Sequence, residues 1–413
     1  SREKYDLIVS EPSNPYRAGV ASLFTREFYQ AVADSLTPGG MFSQWLQAYE
    51  VDTQTIRTIY ATLVSIFPYV ETWQTMSKDL LLVCSMAPPN YPVPQLRRRL
   101  ASEPFRTALM ASWAAMDLEG FLSRFVARAP LALLLGGKEL RNGWLNTDDR
   151  MLVEFGFARA VGRGKAVSLE DLFKASIKHR EHRPMVSGGE VDWDLVDEHR
   201  LKMYVLEEKP IPSLPWLTEG QRHQAKAYNY FLRGRFKAVL KSWKRQSRLP
   251  EHPLELAMIA EALANESDRN ALELVEKLRP LWPGEADAVL ARFYWRTKQP
   301  GKALKSLEAL FSRLRYDPWT LRTLMNRSLY LVQKLADENK NMTRKLHDIL
   351  SVPFSVRVLD HTRLRILFNL ADRLGSAETA RAVKLFEPDV PWERHFLSRR
   401  LWAYKETDDP MAR

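Results

Sequence analysis

The sequence predicts an α/β domain followed by an all-α one. Three observations carry that prediction. Strand-like and helix-like segments alternate over residues 1–160. Proline and glycine crowd residues 161–217 without a long periodic pattern. From 218 to 413 only helical patterning remains, and it repeats.

The first segment, "YDLIVS" from Tyr5, is a continuous apolar run of the kind that parallel strands covered on both faces require. "LFTREFYQAVADSL" follows, with Leu23, Phe24, Phe28, Val32 and Leu36 at helical spacing. "TPGG" at Thr37 to Gly40 supplies breakers that end that helix. "MFSQWLQ" then reads as a second strand. "DTQTIRTIYATLVSIFP" is the next amphipathic helix, capped by Asp52 or Thr53. "YVETWQT" and "DLLLVCS" read as two more strands, a closing antiparallel pair. Residues 86–145 look mostly helical. Strand, helix, strand, helix, strand is the pattern of a doubly wound sheet.

The 413 residues carry 45% hydrophobic and 27% charged side chains, the balance of a folded chain rather than a disordered one. Ser1 to Lys4 is charged, and no run approaches the roughly 18 apolar residues of a membrane span. The best candidate, "APLALLLGG" from Ala129, is short and bracketed by Arg128 and Lys138. The reading is a cytoplasmic chain. The single cysteine, Cys84, sits in an apolar strand and reads as buried structure; one thiol makes neither a disulfide nor a metal site. The formal net charge is +11. The basic clusters "QLRRRL" and "KHREHRP" are short and interrupted by acids, and none is interleaved with aromatics. A basic solvated surface is expected, and no nucleic-acid partner. His179 and His182 form H-x-x-H, but no third ligand is evident and cations flank them. No metal is expected.

In the second half, "YNYFLRGRFKAVLKSW", "AEALANESDRNALELVEKL" and "ARFYWRTKQPGKALKSLEAL" align with one another. Ala238, Ala271 and Ala303 stand 33 and 32 residues apart, each opening the second helix of a pair. A period near 34 with a small residue at the helix–helix contact resembles the tetratricopeptide repeat. Glu285 to Leu314 matches best, and looser pairs follow at Trp319 to Leu350 and Thr362 to Phe386. Such repeats take a protein or peptide partner along one face. The alternative is a helical domain that only packs.

The most site-like segment lies at the start. In an open α/β sheet ligands sit beyond the carboxyl ends of the strands. "SEPSNP" lies at such an end, stiffened by Pro12 and Pro15, with Ser13 and Asn14 as hydrogen-bonding groups and Glu11 as a carboxylate. Glu11 reads equally as a proton acceptor, a cation holder or a solvated turn residue.

The run "YDLIVSEPSNPYRAGVASLFTREFYQAVADSLTPGGMFSQWL" resembles the second half of the catalytic domain of polyamine aminopropyltransferases, the spermidine synthase family. It is more similar still to bacterial spermidine synthase-like proteins that are often fused to membrane helices. "LNTDDRMLVEF" at Leu145 to Phe155 resembles the closing segment of that group. The resemblance covers residues 1 to about 160. It implies the carboxyl-terminal half of a Rossmann-like, methyltransferase-type domain, and a transferase in polyamine biosynthesis. Such enzymes move an aminopropyl group from decarboxylated S-adenosylmethionine, the co-substrate, to a small-molecule amine. It also implies membrane helices upstream of this chain and anchoring of the longer protein in the bacterial inner membrane.

Residue by residue, Glu11 matches the carboxylate that takes the amine proton and is the catalytic candidate. Asn14 stands where the family loop, Asp-Ser-Ser-Asp-Pro, has its second acid. It is neutral and cannot pair with an ammonium. Gln44 matches a glutamine near the amine, and Trp73 falls about where a substrate-lining tyrosine is expected. Asp148 and Asp149 are adjacent acids, one of which is expected to cap the helix near Arg150. The glycine-rich loop and ribose-binding acid of a nucleoside site have no counterpart here, so the cofactor-binding residues are unknown and the chain is expected to start mid-domain. The competing expectation is a catalytically degenerate domain whose helical repeats recruit a protein partner.

Overall fold

The computed structural model of the chain describes residues 3–12, 19–48, 51–76, 79–160, 168–387 and 389–412. It is a mixed α/β structure with a five-stranded mixed sheet and many helices. Two units divide it, residues 1–203 and 204–413. The division falls within the segment 161–217 that reads as a linker.

In the first unit, strand β1 (Tyr5–Ser10) leads through a 3-10 turn (Val20–Phe24) into helix α1 (Arg26–Ala33). Thr25 caps α1, its Oγ1 accepting the Phe28 N–H at 3.3 Å. Strand β2 (Leu36–Gln47) lies parallel to β1. Helix α2 (Thr53–Val64) is capped by Asp52, whose Oδ1 accepts the Thr55 N–H at 2.7 Å, as the sequence predicts. Strands β3 (Tyr69–Met76) and β4 (Asp79–Ser85) form an antiparallel pair. β4 inserts between β2 and β3, antiparallel to both.

The segment 86–145 is largely helical, with two short strands. It holds β5 (Tyr91–Pro92), α3 (Val93–Leu100), α4 (Phe105–Trp113), α5 (Leu118–Leu122), β6 (Phe125–Ala127) and α6 (Ala129–Arg141). β6 joins the sheet beside β3, giving the order β1-β2-β4-β3-β6. Then come α7 (Leu152–Ala160), α8 (Leu169–Lys178), β7 (Val186–Ser187) and α9 (Trp193–Leu206). Residues 168–203 are packed rather than linker-like. Arg200 pairs with Asp197 at 3.0 Å and donates to the carbonyls of Ser123 at 3.2 Å and Phe125 at 2.8 Å.

Strand alternation sorts the sheet into two faces. Ile8, Phe42, Leu46, Val70, Leu80, Leu82 and Cys84 belong to the core beneath α1 and α2. Cys84 is fully buried there, and burial pushes its thiol well up. Trp73, Phe125, Leu81 and Val83 form a second core on the other face with residues of α3, α5 and α9. Helix α2 is also covered on its outer side. A Cβ on Gly136 of α6 would lie 2.5 Å from the Ala61 nitrogen, so only glycine permits that approach.

Two expectations fail at the start of the chain. "TPGG" does not terminate a helix. α1 ends at Ala33, and Thr37–Gly40 form a bulge inside β2, where the register jumps from Tyr5↔Leu36 to Leu7↔Met41. Gly39, at φ 84°, supplies the left-handed residue this needs. β1 is also not buried on both faces. It is an edge strand whose Leu7 and Val9 are 55% and 60% exposed, and the paired Met41 is exposed beside them.

The second unit is helical throughout its described residues. Its elements are α10 (Glu219–Leu232), α11 (Phe236–Trp243), α12 (Pro253–Asn265), α13 (Asn270–Leu278), α14 (Pro283–Arg296), α15 (Pro300–Leu314), α16 (Arg322–Glu338), α17 (Thr343–Ser351), α18 (Asp360–Ala371), α19 (Ser376–Lys384) and α20 (Arg394–Glu406). α10 packs on α11, α12 on α13, α14 on α15 and α19 on α20, while α17 packs chiefly on α18; α12 also meets α14, α14 meets α16, and α16 meets α18. Ala271 and Ala303 are fully buried at the starts of α13 and α15, where a small side chain lets the paired helix approach; Ala238 is half-buried in α11.

Candidate functional site

β1 ends at Ser10, opposite Gln44 of the parallel β2, which runs on to Gln47. Glu11 follows directly, is solvent-exposed, and leaves the strand where a ligand would sit. Asn14, Ser13 and Pro15 lie outside the described residues.

Gln44 is fully buried on the α2 face of the sheet. Its Nε2 donates to the Trp45 carbonyl at 3.0 Å and the Ser10 carbonyl at 3.4 Å. Those two bonds fix the amide, and Oε1 has no partner among the described residues. The neighbouring Ser10 Oγ is likewise buried and unpartnered. A bare buried carbonyl oxygen costs about 1–3 kcal/mol and accepts any N–H or O–H brought to it.

Trp73 does not converge with Gln44. It lies in register with Leu81 and Trp45, one row beyond Gln44, and points to the opposite face. There it is buried among Tyr91, Phe121 and Phe125, with ring centroids at 6.0, 5.1 and 5.1 Å. The structure therefore places Gln44 beside the end of β1, which Glu11 follows, and Trp73 in a packed aromatic cluster.

Beside Trp73, two residues back on β3, sits a group the sequence reading passed over. Glu71 is buried and hydrogen-bonded to the Tyr91 hydroxyl. Burial pushes its carboxyl up to about 7, against the opposing influence of the Tyr91 bond and of Arg128. The only signal was a lone acid in the apolar strand "YVETWQT".

The closing "NTDD" segment holds a second overlooked residue. Asp148 and Asp149 are exposed in the middle of a tight turn in which Thr147 and Arg150 exchange backbone hydrogen bonds at 3.2 and 3.0 Å. Neither caps a helix, because α7 starts later, at Leu152. The buried member is Asn146. Its N–H donates to Thr62 Oγ1 at 3.0 Å and its carbonyl accepts the Arg26 N–H at 2.8 Å. Its side chain donates to the Ala21 carbonyl at 3.4 Å and accepts the Val153 N–H at 3.0 Å. One residue thus ties α2, α7, the 3-10 turn and the start of α1 together.

The two histidines lie in different surroundings. His179 is exposed, while His182 packs edge-on to Phe173 at 6.4 Å. Burial, then Arg200 and Arg183, push His182 down to about 4, so it is neutral at physiological pH. Among the described residues no group of three or more His, Cys, Asp or Glu is placed to hold a metal, and no helix is long and apolar enough to cross a membrane. Comparison of the chain with family models, with curated proteins and with solved structures returns no match.

Proposed function

We propose that the first unit is the carboxyl-terminal half of an aminopropyltransferase-type Rossmann domain, and that its strand ends carry the amine site. The observation that carries this reading is the exposed carboxylate of Glu11 just past the end of β1, where the neighbouring strand β2 holds the bare carbonyl of Gln44 opposite Ser10. The order β1-β2-β4-β3, with an antiparallel closing pair, supports it. So does the unpaired β1 edge with Leu7 and Val9 bare, onto which a nucleoside-binding half would continue the sheet.

In this chemistry Gln44 Oε1 accepts a hydrogen bond from the substrate amine and orients it. Glu11 takes the proton that the amine must lose. The amine lone pair then attacks the carbon beside the sulfonium of decarboxylated S-adenosylmethionine. A C–N bond forms, the C–S bond breaks, and its electrons return to sulfur as a neutral thioether. The test is Glu11→Gln in a form of the protein that includes the nucleoside half, followed by thioether release with a panel of diamines. Transfer should fall by about 100-fold or more. Undiminished turnover removes Glu11 from the mechanism.

A second reading has its own support. Asn14 replaces the acid that would hold a polycation, and the helical pairs of the second unit resemble tetratricopeptide repeats. On this reading the sheet unit is catalytically degenerate, and the repeats bind a protein partner. Immobilised full chain that captures no saturable partner counts against it.

A further inference from the structure

The first helices of the repeat pairs share one face, and that face is charged in an uneven way. On α12, Glu261 is 1% exposed. Arg292 of α14 reaches its Oε1 at 3.0 Å, and Arg327 of α16 reaches its Oε2 at 2.6 Å. Arg327 also bonds the Phe231 carbonyl at the end of α10, and lies over the Phe231 and Phe236 rings at 4.7 and 5.3 Å. Arg292 lies over Phe236 at 5.3 Å. Two guanidinium groups therefore share one carboxylate.

The same stripes continue away from this clasp. Residues three, four, seven and eleven apart share a helix face. On α14, Arg292 is followed by Trp295 and Arg296; on α16, Arg327 is followed by Lys334 and Glu338. The rows meet, for Lys334 Nζ lies 5.5 Å from the Trp295 ring centre and Arg296 lies 5.7 Å from it. Trp295 Nε1 donates to Glu338 at 3.2 Å, and Lys298 pairs with Glu338 at 3.8 Å. Here a shallow cavity of about 250 Å³ opens, lined by Trp295, Lys298, Pro300, Glu338 and Asn339. Along the strip Arg292, Arg327, Arg296, Lys334 and Lys298 face only Glu261 and Glu338 among these groups, a surplus of three positive charges.

We propose that the strip along α14 and α16 binds an acidic, extended peptide. It would pair its carboxylates with Arg296, Lys334 and Lys298 and seat one side chain in the cavity against Trp295. The clasp closes the strip at its α12 end, so the peptide runs from there toward Lys298. This rests on the interaction-module reading and specifies its partner. Cations held over an aromatic ring offer charge at low ordering cost, and an aromatic floor adds apolar contact.

The test uses the full chain and fluorescein-labelled peptides of Glu-Ala repeats, with Gln-Ala and Lys-Ala repeats as controls, read by anisotropy. The Glu peptide should bind at least about tenfold more tightly than the Gln peptide and weaken with salt. The exposed pair R296E and K334E should weaken it by about tenfold or more, whereas K277E, on α13 away from the strip, should not. Equal binding of all three peptides overturns the proposal. So does an equal loss in K277E, or a single-stranded RNA that binds more tightly and displaces the peptide. A captured protein partner that R296E and K334E leave unaffected refutes the strip alone, while failure to capture any partner refutes the module reading itself.

Discussion

Opposite the end of β1, Gln44 of β2 presents a buried carbonyl oxygen that no described group satisfies, whereas in the helical unit Glu261 is faced by guanidinium groups from two helices. The same contrast runs through both units. The sheet unit leaves Ser10 Oγ bare and Leu7 and Val9 in solvent at its parallel edge. The helical unit closes several of its acids by cross-links. Asp287 of α14 takes Arg279 at 2.9 Å and Arg313 at 3.2 Å, and Tyr228 of α10 donates to Glu255 of α12 at 3.1 Å. An unmet buried acceptor is a standing cost, and it persists where something else completes it. The helical unit has such gaps too: Gln224 and Gln333 each keep a buried Oε1 without a hydrogen-bond partner among the described residues, and Glu261 Oε1 meets Arg292 as an ion pair only. What sets its clasp apart is that opposite charge, rather than nothing, faces the buried acceptor.

The sharpest way to break this comparison is to remove the carboxylate from the clasp. Glu261→Ala leaves Arg292 and Arg327 nearly buried against Phe231 and Phe236 without their carboxylate. The expected loss is about 3–5 kcal/mol, because one partner of a buried pair is removed and the other stays. Hydrogen exchange resolved by peptide should place the loss in α12, α14 and α16 and leave β2 to β4 protected as before. A uniform loss across both units would mean the clasp is not a local device.

The second effect is smaller and belongs to the sheet unit. Asn146→Ala removes two side-chain bonds, to the Ala21 carbonyl and from the Val153 N–H, both buried. About 2–3 kcal/mol should go, with exchange rising at Val20–Phe24 and at the start of α7. Asp148→Ala, in the exposed turn next door, should change stability by less than about 0.5 kcal/mol. Comparable losses in the two variants would return the anchoring role to the acids.

That pair of residues shows what the sequence could and could not tell. Acids attract attention because they do chemistry, so "NTDD" drew the eye to Asp148 and Asp149, while the asparagine beside them makes the long-range contacts. Nothing local in a sequence distinguishes an exposed Asn from one whose partners lie 84 and 125 residues away. Periodicity, by contrast, is local. The Asp52 cap, the helix pairs and the small residues Ala271 and Ala303 were all legible for that reason. "TPGG" misled because Pro and Gly mark a bulge as readily as a helix end, and only the partner strand decides. Burial of "YDLIVS" was misread for a related cause: an apolar run shows what a strand requires, not what covers it. Glu11 stood out through the strand-end rule, and Gln44 only through the family resemblance. Trp73 was placed by distance along the chain, which does not fix the face on which a strand residue lies.

Both units do share one feature, a buried carboxyl pushed up to about 7, and it offers the finest test of their difference. Burial raises Glu71 in the sheet unit and Glu285 in the repeats. Glu285 of α14 accepts the Leu321 N–H at 2.7 Å, while Glu71 meets the Tyr91 hydroxyl. The folded form of each holds its proton above the ordinary carboxyl value of 4.5. Between pH 4.5 and about 7 the unfolded chain has released that proton and the native chain has not. Unfolding therefore becomes easier as pH rises through this window; the contribution is complete below it and lost above it. A shift of this size sets a ceiling of about 3 kcal/mol on the share of each group in that loss. Glu71→Gln and Glu285→Gln keep the shape and remove the titration. Denaturant melts at pH 5 and pH 8 should show a flatter dependence in each, and exchange mapping should assign Glu71 to β3 and β4 and Glu285 to α14 and α16. If neither variant flattens the profile, both carboxyls are ionised in the native chain, with Arg128 holding Glu71 as its counter-ion. The protonated Glu71–Tyr91 pair beside Trp73 would then be withdrawn.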